Sequence, residues 1–255
     1  RCAVALGVFA TAALVVSLPG VAEGYCLNKV SGATPYASWK TQPVKYKVSA
    51  NLTDPAILKA IDDAFATWGS VACSKLAFQK DGTFNLATTN FQNHNQKAIL
   101  VFWYDAAAGY PTDAKYLAYT FFGHDNAGGL VQGSIALNGF TATYPWDTTG
   151  DAAKLDVHGE LVTLIGGVIG FTTSNTAASV LQTTIKFGDT SKRTLAPDDI
   201  DAVHQLYKET NCPAPPAPGA NGCTGSAPGP DGSVVTPDGG VPGDGPTPKQ
   251  DSSAP

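Results

Sequence analysis

The last 44 residues set the limit on how much of this chain can fold. From Cys212 to Pro255 the sequence carries 11 Pro and 9 Gly, and its only aliphatic residues beyond Ala are Val234, Val235 and Val241. Such a segment cannot bury enough apolar surface to offset the entropy of ordering it. Residues 212–255 therefore read as a disordered Pro/Gly-rich linker or stalk, locally polyproline-like, of the kind that continues into a surface-anchoring element. The other end is set apart as well. Residues 1–22 pair a leading Arg with an apolar stretch that ends in small residues, Gly20 and Ala22 at the −3 and −1 positions. That is the layout of a signal peptide, and with no Met anywhere in the chain its start is expected to be truncated. One foldable domain is left, 23–211.

Composition narrows what that domain can do. Sixteen Lys+Arg against 21 Asp+Glu give a net charge of −5, and no basic run is long enough to follow a phosphate backbone. Nucleic acid is excluded as a partner on that ground. The only long apolar run belongs to the signal peptide, so no membrane span is expected in the mature chain, which is expected to be a secreted or cell-surface monomer. Without Cys2, four cysteines remain: Cys26, Cys73, Cys212 and Cys223. An even count in an exported chain favours disulfides, and of the three pairings the expected one joins Cys26 to Cys73 and Cys212 to Cys223.

The elements of the domain can be read from periodicity. Val44, Tyr46 and Val48 alternate with lysines, as a half-buried strand requires. A helix follows, with Asp54 as its cap, Pro55 at its first position and Ile57, Ile61, Phe65 and Trp68 along one face. Short strands are expected at 75–78, 98–104, 118–122 and 134–138. A second helix is expected over 155–169, with Val157, Leu161, Leu164, Ile165 and Val168 inward, and a third over 197–207. The fold class is α/β (α+β): a single twisted mixed sheet with about three helices.

Several strings in this order are similar to the catalytic domain of matrixin-type metzincin proteases, in particular the bacterial secreted type. AIDDAFATWGSVACSKLAF resembles that family's first helix leading into its second strand. SIALNG resembles the edge strand of the substrate cleft. ASVLQ followed by TLAPDDIDAVHQLY resembles the Met-turn and the C-terminal helix. The likeness covers most of residues 40–208, and it implies a zinc endopeptidase fold. The family's chemistry needs H-E-x-x-H-x-x-G-x-x-H: two His one helical turn apart bind zinc, the Glu serves as general base, and a Gly breaks the helix so that a third His can return.

Laid on this chain, the resemblance puts Gly170 at the break and Ser174 at the close of the segment. The three His positions are then Thr163, Gly167 and Thr173, the Glu position is Leu164, and the Met-turn position is Leu181. Each has lost its chemical group. Of the four His, none has another at i+3 or i+4, and His158 and Glu160 diverge by roughly 200° on a helix. Glu160, about one turn before Thr163, is placed to border the old cleft, but a solvated helix position is the expected reading. Asp198 and Asp199 open the last helix, where they complement its dipole. Gly166 and Gly167 inside a helix cost on the order of 1 kcal/mol each relative to Ala. In the family frame only Gly167 is anomalous.

The expectation is a pseudoprotease with no catalytic residue, no metal ligand and no cofactor. It would keep a peptide-binding cleft in which Ser134, Ile135, Ala136, Leu137 and Asn138 offer an edge strand to an extended peptide or protein segment. Two alternatives stay open at this point. One is an active secreted endopeptidase that holds zinc through atypical ligands, and the other is a passive surface-displayed structural domain.

Overall fold

The computed structural model describes residues 25–28, 36–92, 94–104, 117–139, 144–174, 176–182, 184–212 and 214–215. The expected signal peptide, Cys223 and nearly all of the expected tail lie outside the described residues. Within them the order is β1 (Val44–Ser49), α1 (Pro55–Gly69), β2 (Phe78–Phe84), β3 (Ile99–Tyr104), β4 (Ala118–His124), β5 (Leu130–Asn138), β6 (Trp146–Asp147), β7 (Leu155–Asp156), α2 (Val157–Val168) and α3 (Pro197–Tyr207). The class is the mixed α/β one expected, with a five-stranded sheet and three α-helices.

The sheet runs β2-β1-β3-β5-β4, parallel except for the antiparallel β4. Alternate side chains serve its two faces, as the pleat requires. Ile99, Val101, Ile135 and Leu137 join the main core under α1 and α2, while Leu100, Phe102 and Ala136 build a second cluster on the other face with Phe84. No helix among the described residues is long and apolar enough to cross a membrane.

Three expectations are corrected here. The strand foreseen at 75–78 lies instead at Phe78–Phe84. The backbone of Ser74 and Lys75 is taken up by the end of α3, through the Ser74–Lys208 bridge and the Lys75 N–H to Tyr207 carbonyl bond at 2.7 Å. Ser134–Asn138 is not an edge. β5 pairs with β3 along one side and β4 along the other, so its backbone groups are engaged in both directions, and β4 is the terminal strand. Finally, the disulfide joins Cys73 to Cys212, across 139 residues, so neither expected pair forms. Cys73 sits at φ 60, at the end of the turn that follows α1, which presents its sulfur to the chain leaving α3.

Candidate functional site

Helix α2 is the element on which the resemblance rests, and it is fixed from several directions. Asp156 caps it, accepting from the Gly159 N–H at 2.8 Å. The Trp68 indole donates to the Val162 carbonyl at 2.8 Å, and that of Trp39 donates to the Val168 carbonyl at 3.0 Å. The Tyr207 hydroxyl donates to the Ile169 carbonyl, tying α3 to its end. The helix is a residue or two shorter at each end than its apolar pattern suggested, because Leu155 and Asp156 pair with β6 before it starts. It stops at Gly170, whose φ of +115 suits glycine, and a Cβ there would collide with the Ala37 carbonyl.

The two adjacent glycines of α2 do different things. A Cβ on Gly166 would strike Leu181 and approach the Trp68 ring to 3.1 Å, so close packing requires glycine there. A Cβ on Gly167 would meet only the Thr120 hydroxyl, at 3.8 Å. Gly167 therefore borders open space beside β4, and among the described residues no neighbour forbids a side chain.

Thr163 shares that face one turn earlier. Its hydroxyl donates to the Val180 carbonyl at 2.6 Å. Thr173, past the Gly170 break, is exposed, and the next residue bonds back through the Ser174 N–H to the Leu181 carbonyl at 3.3 Å. Both threonine segments thus meet the Val180–Leu181 turn. That turn is in turn held by Asp199, a fully buried carboxylate that accepts from the Ser179 hydroxyl, the Val180 N–H and the Ala196 N–H. Asp199 does more than complement the helix dipole. It locks the start of α3 to the turn beside α2, and burial nonetheless raises its pKa. Leu164, at the position the resemblance gives to Glu, is buried in the main core.

Glu160 is where sequence reasoning missed a feature. It is 8% exposed, not a solvated helix residue, because Gln182, Ile185 and Lys192 fold across it. With Thr163 and Leu164 it lines a cavity of about 10 Å³, closed by Leu117 and Ala118 at the start of β4 and by Gln182, Ile185 and Lys192. Among the described residues its carboxyl has no hydrogen-bond partner. Lys192, 9% exposed, donates a hydrogen bond to the Gln182 carbonyl at 2.7 Å and forms no ion pair with Glu160. Desolvation raises the Glu160 pKa to about 6, and the Lys192 charge only partly opposes it. A carboxylate three residues before Thr163, on the same helical face, was the available signal, but nothing local announced its cover.

The imidazoles lie elsewhere. His94 faces the Gly133 carbonyl, His124 the Asp125 carbonyl, His158 the Thr67 hydroxyl and His204 the Ala72 carbonyl. Among the described residues no group of three His, Cys, Asp or Glu is arranged to hold a metal ion. The donor set at the family's ligand positions does not fit zinc: a threonine whose proton is committed to a carbonyl, a glycine and a second threonine provide no imidazole, thiolate or carboxylate.

The sequence model of the peptidase family described as Matrixin matches residues 38–208. No curated protein matches the chain.

Proposed function

Since the chain belongs to the matrixin family, we propose that it is a member that has exchanged zinc chemistry for recognition: an exported pseudoprotease that holds an extended peptide in the old cleft. The observation that carries this reading is the state of the α2 face. Thr163 is hydrogen-bonded to Val180, Gly167 opens on space beside Thr120, and Leu164 stands where a proton acceptor would be needed. The frame around them is intact, from the Gly170 break to the Val180–Leu181 turn. A cleft wall also remains. β4 is the terminal strand, and it borders the Glu160 pocket through Leu117 and Ala118. A peptide added there would gain main-chain hydrogen bonds of the β-augmentation kind. The role first assigned to Ser134–Asn138 thereby passes to Ala118–His124.

Zinc analysis of the purified chain is the test. After dialysis the protein should carry no stoichiometric zinc and should leave casein and gelatin uncut. One tightly held zinc per chain, removed by chelator together with proteolytic activity, would refute the proposal.

A further inference from the structure

Phe91, Gln92 and His94, ahead of β3, are held to β5 through side chains. The Ser134 hydroxyl donates to the Phe91 carbonyl at 2.6 Å. The Gln132 amide donates to the Gln92 carbonyl and accepts from the His94 N–H, both at 2.9 Å. The His94 ring, in a residue only 7% exposed, completes the set. Its Nε2 lies 3.1 Å from the Gly133 carbonyl and its Nδ1 lies 3.4 Å from the Gln96 N–H. What these bonds hold in place is aromatic. The Phe91 ring sits 5.1 Å from Phe102 and 5.5 Å from Phe121, over the second apolar cluster of the sheet.

The two partners of the ring fix its protonation. A carbonyl only accepts, so Nε2 carries the proton, and a backbone N–H only donates, so Nδ1 carries none. Only the neutral ring makes both bonds. A proton on Nδ1 sets one N–H against another and leaves a buried imidazolium without a counter-ion. The bonded groups, on Gly133 and Gln96, are uncharged. Charged or ionisable side chains on the neighbouring elements are Lys97 on the same segment, Lys45 and Lys47 on β1, and His124 and Asp125 where β4 ends. Asp81 of β2 is engaged by both β1 lysines, and Asp125 accepts from the Ala127 and Gly129 N–H groups. Burial lowers the His94 pKa from its ordinary 6.5, against the opposing pull of the Gly133 bond. Above pH 6.5 the ring is neutral whether held or free, and the attachment is at full strength. As pH falls below 6.5 the free ring takes up a proton that the held ring resists, so release becomes easier.

We propose that His94 is an acid-sensitive latch, which on gaining a proton releases Phe91 and Gln92 from β5 and bares the aromatic cluster around Phe102 and Phe121. Release breaks side-chain bonds only. The ladder between β3 and β5, from Ile99 and Gly133 onward, stays intact.

Hydrogen exchange on the whole chain at pH 7.5 and 5.5, corrected for the intrinsic pH dependence of exchange, tests the latch. Protection of the His94 and Gln96 amides should fall at pH 5.5 by up to about tenfold, the limit that an ordinary value of 6.5 sets, while the amides of α2 keep theirs. Binding of an apolar dye such as ANS should rise in step. His94→Gln can still donate to the Gly133 carbonyl and does not titrate, so its exchange and dye binding should be the same at both values. His94→Ala should bind the dye at pH 7.5 already. A change of less than twofold in the unaltered chain would overturn the inference. So would a pH response that survives in His94→Gln, or an equal loss of protection in α2, which would mark global unfolding rather than a latch.

Discussion

Replacing Glu160 by Gln should stabilise the protein, and only above a particular pH. Burial raises the Glu160 pKa from 4.5 to about 6, so the folded state binds that proton more tightly than the unfolded chain does. Below about pH 4.5 both states are protonated and the group carries no penalty. As pH rises through 6 the folded state must ionise a carboxyl that has no hydrogen-bond partner, and stability falls. The gap between the two values, at about 1.4 kcal/mol per pKa unit, amounts to about 2 kcal/mol. Gln has the shape of the protonated acid and does not ionise. The difference in unfolding free energy, variant minus unaltered chain, should therefore be near its minimum at pH 4 and rise by about 2 kcal/mol by pH 7.5. For a domain of this size that is a gain of roughly 4–8 °C in Tm. Any partners the amide finds add a constant, which shifts the curve without changing its rise. Urea unfolding followed by circular dichroism at steps across this range measures it. A difference that stays flat with pH would show that Glu160 is hydrated or paired in solution, and the reasoning would fail.

Further expectations bear on the rest of the site and its frame. Gly167→Ala should stabilise α2 by about 1 kcal/mol, since its Cβ meets nothing closer than the Thr120 hydroxyl at 3.8 Å, whereas Gly166→Ala should destabilise the fold by driving into Leu181; thermal melts of the two variants should move in opposite directions. Asp199→Ala should cost roughly 3 kcal/mol by leaving the Ser179 hydroxyl and the Val180 and Ala196 N–H groups unpaired, with amide exchange quickening first in the Val180–Leu181 turn. Reducing Cys73–Cys212 should lower stability by about 3–5 kcal/mol, as expected for a crosslink closing 139 residues, measured by urea unfolding with and without reductant. Restoring Thr163→His, Leu164→Glu, Gly167→His and Thr173→His together should create a zinc site more readily than proteolysis; a folded quadruple variant that binds zinc no better than the single ones would mean that the three positions do not converge.

Helix α1 shows what a local pattern can carry. Asp54 accepts from the Ala56 N–H at 2.8 Å, Pro55 opens the helix, and Ile57, Ile61, Phe65 and Trp68 are buried, all as their spacing implied. The same holds for β1 and β3, whereas α3 keeps its expected span and its expected inward Val203 but leaves the other two expected inward residues, Ile200 and Leu206, only partly buried and buries Asp199, Ala202 and Tyr207 instead. β2 escaped notice because it is a terminal strand, mostly exposed, that carries Gly82 at positive φ where an alternating pattern would be needed. The remaining misses concern contacts between distant parts of the chain. Cys73 and Cys212 are brought together only when α3 returns past the end of α1. β5 becomes interior because β4, earlier in sequence, pairs on its outer side. Glu160 is buried by a segment more than 20 residues further on.

The geometry that a matrixin devotes to a metal is held here by contacts that need none. Leu181 packs against Gly166 and α2, Thr163 is bonded to the turn before Leu181, and Asp199 fixes that turn to α3. Each contact belongs to the core and contributes whether or not a ligand is present. Thr163 belongs to that framework through its bond to Val180, whereas Gly167 borders the cleft without contributing a side chain to it. Gly167 makes the point most directly, because the space beside it remains although no side chain uses it. A site built this way can lose its chemistry in a few substitutions and keep its shape. The charged side chains lining the cavity beside it are Glu160, which has no hydrogen-bond partner among the described residues, and Lys192, which donates to the Gln182 carbonyl. They do not assemble the Lewis acid and base that hydrolysis in this family requires. The proposed function, recognition without cleavage, rests on that combination of a preserved wall and an altered floor.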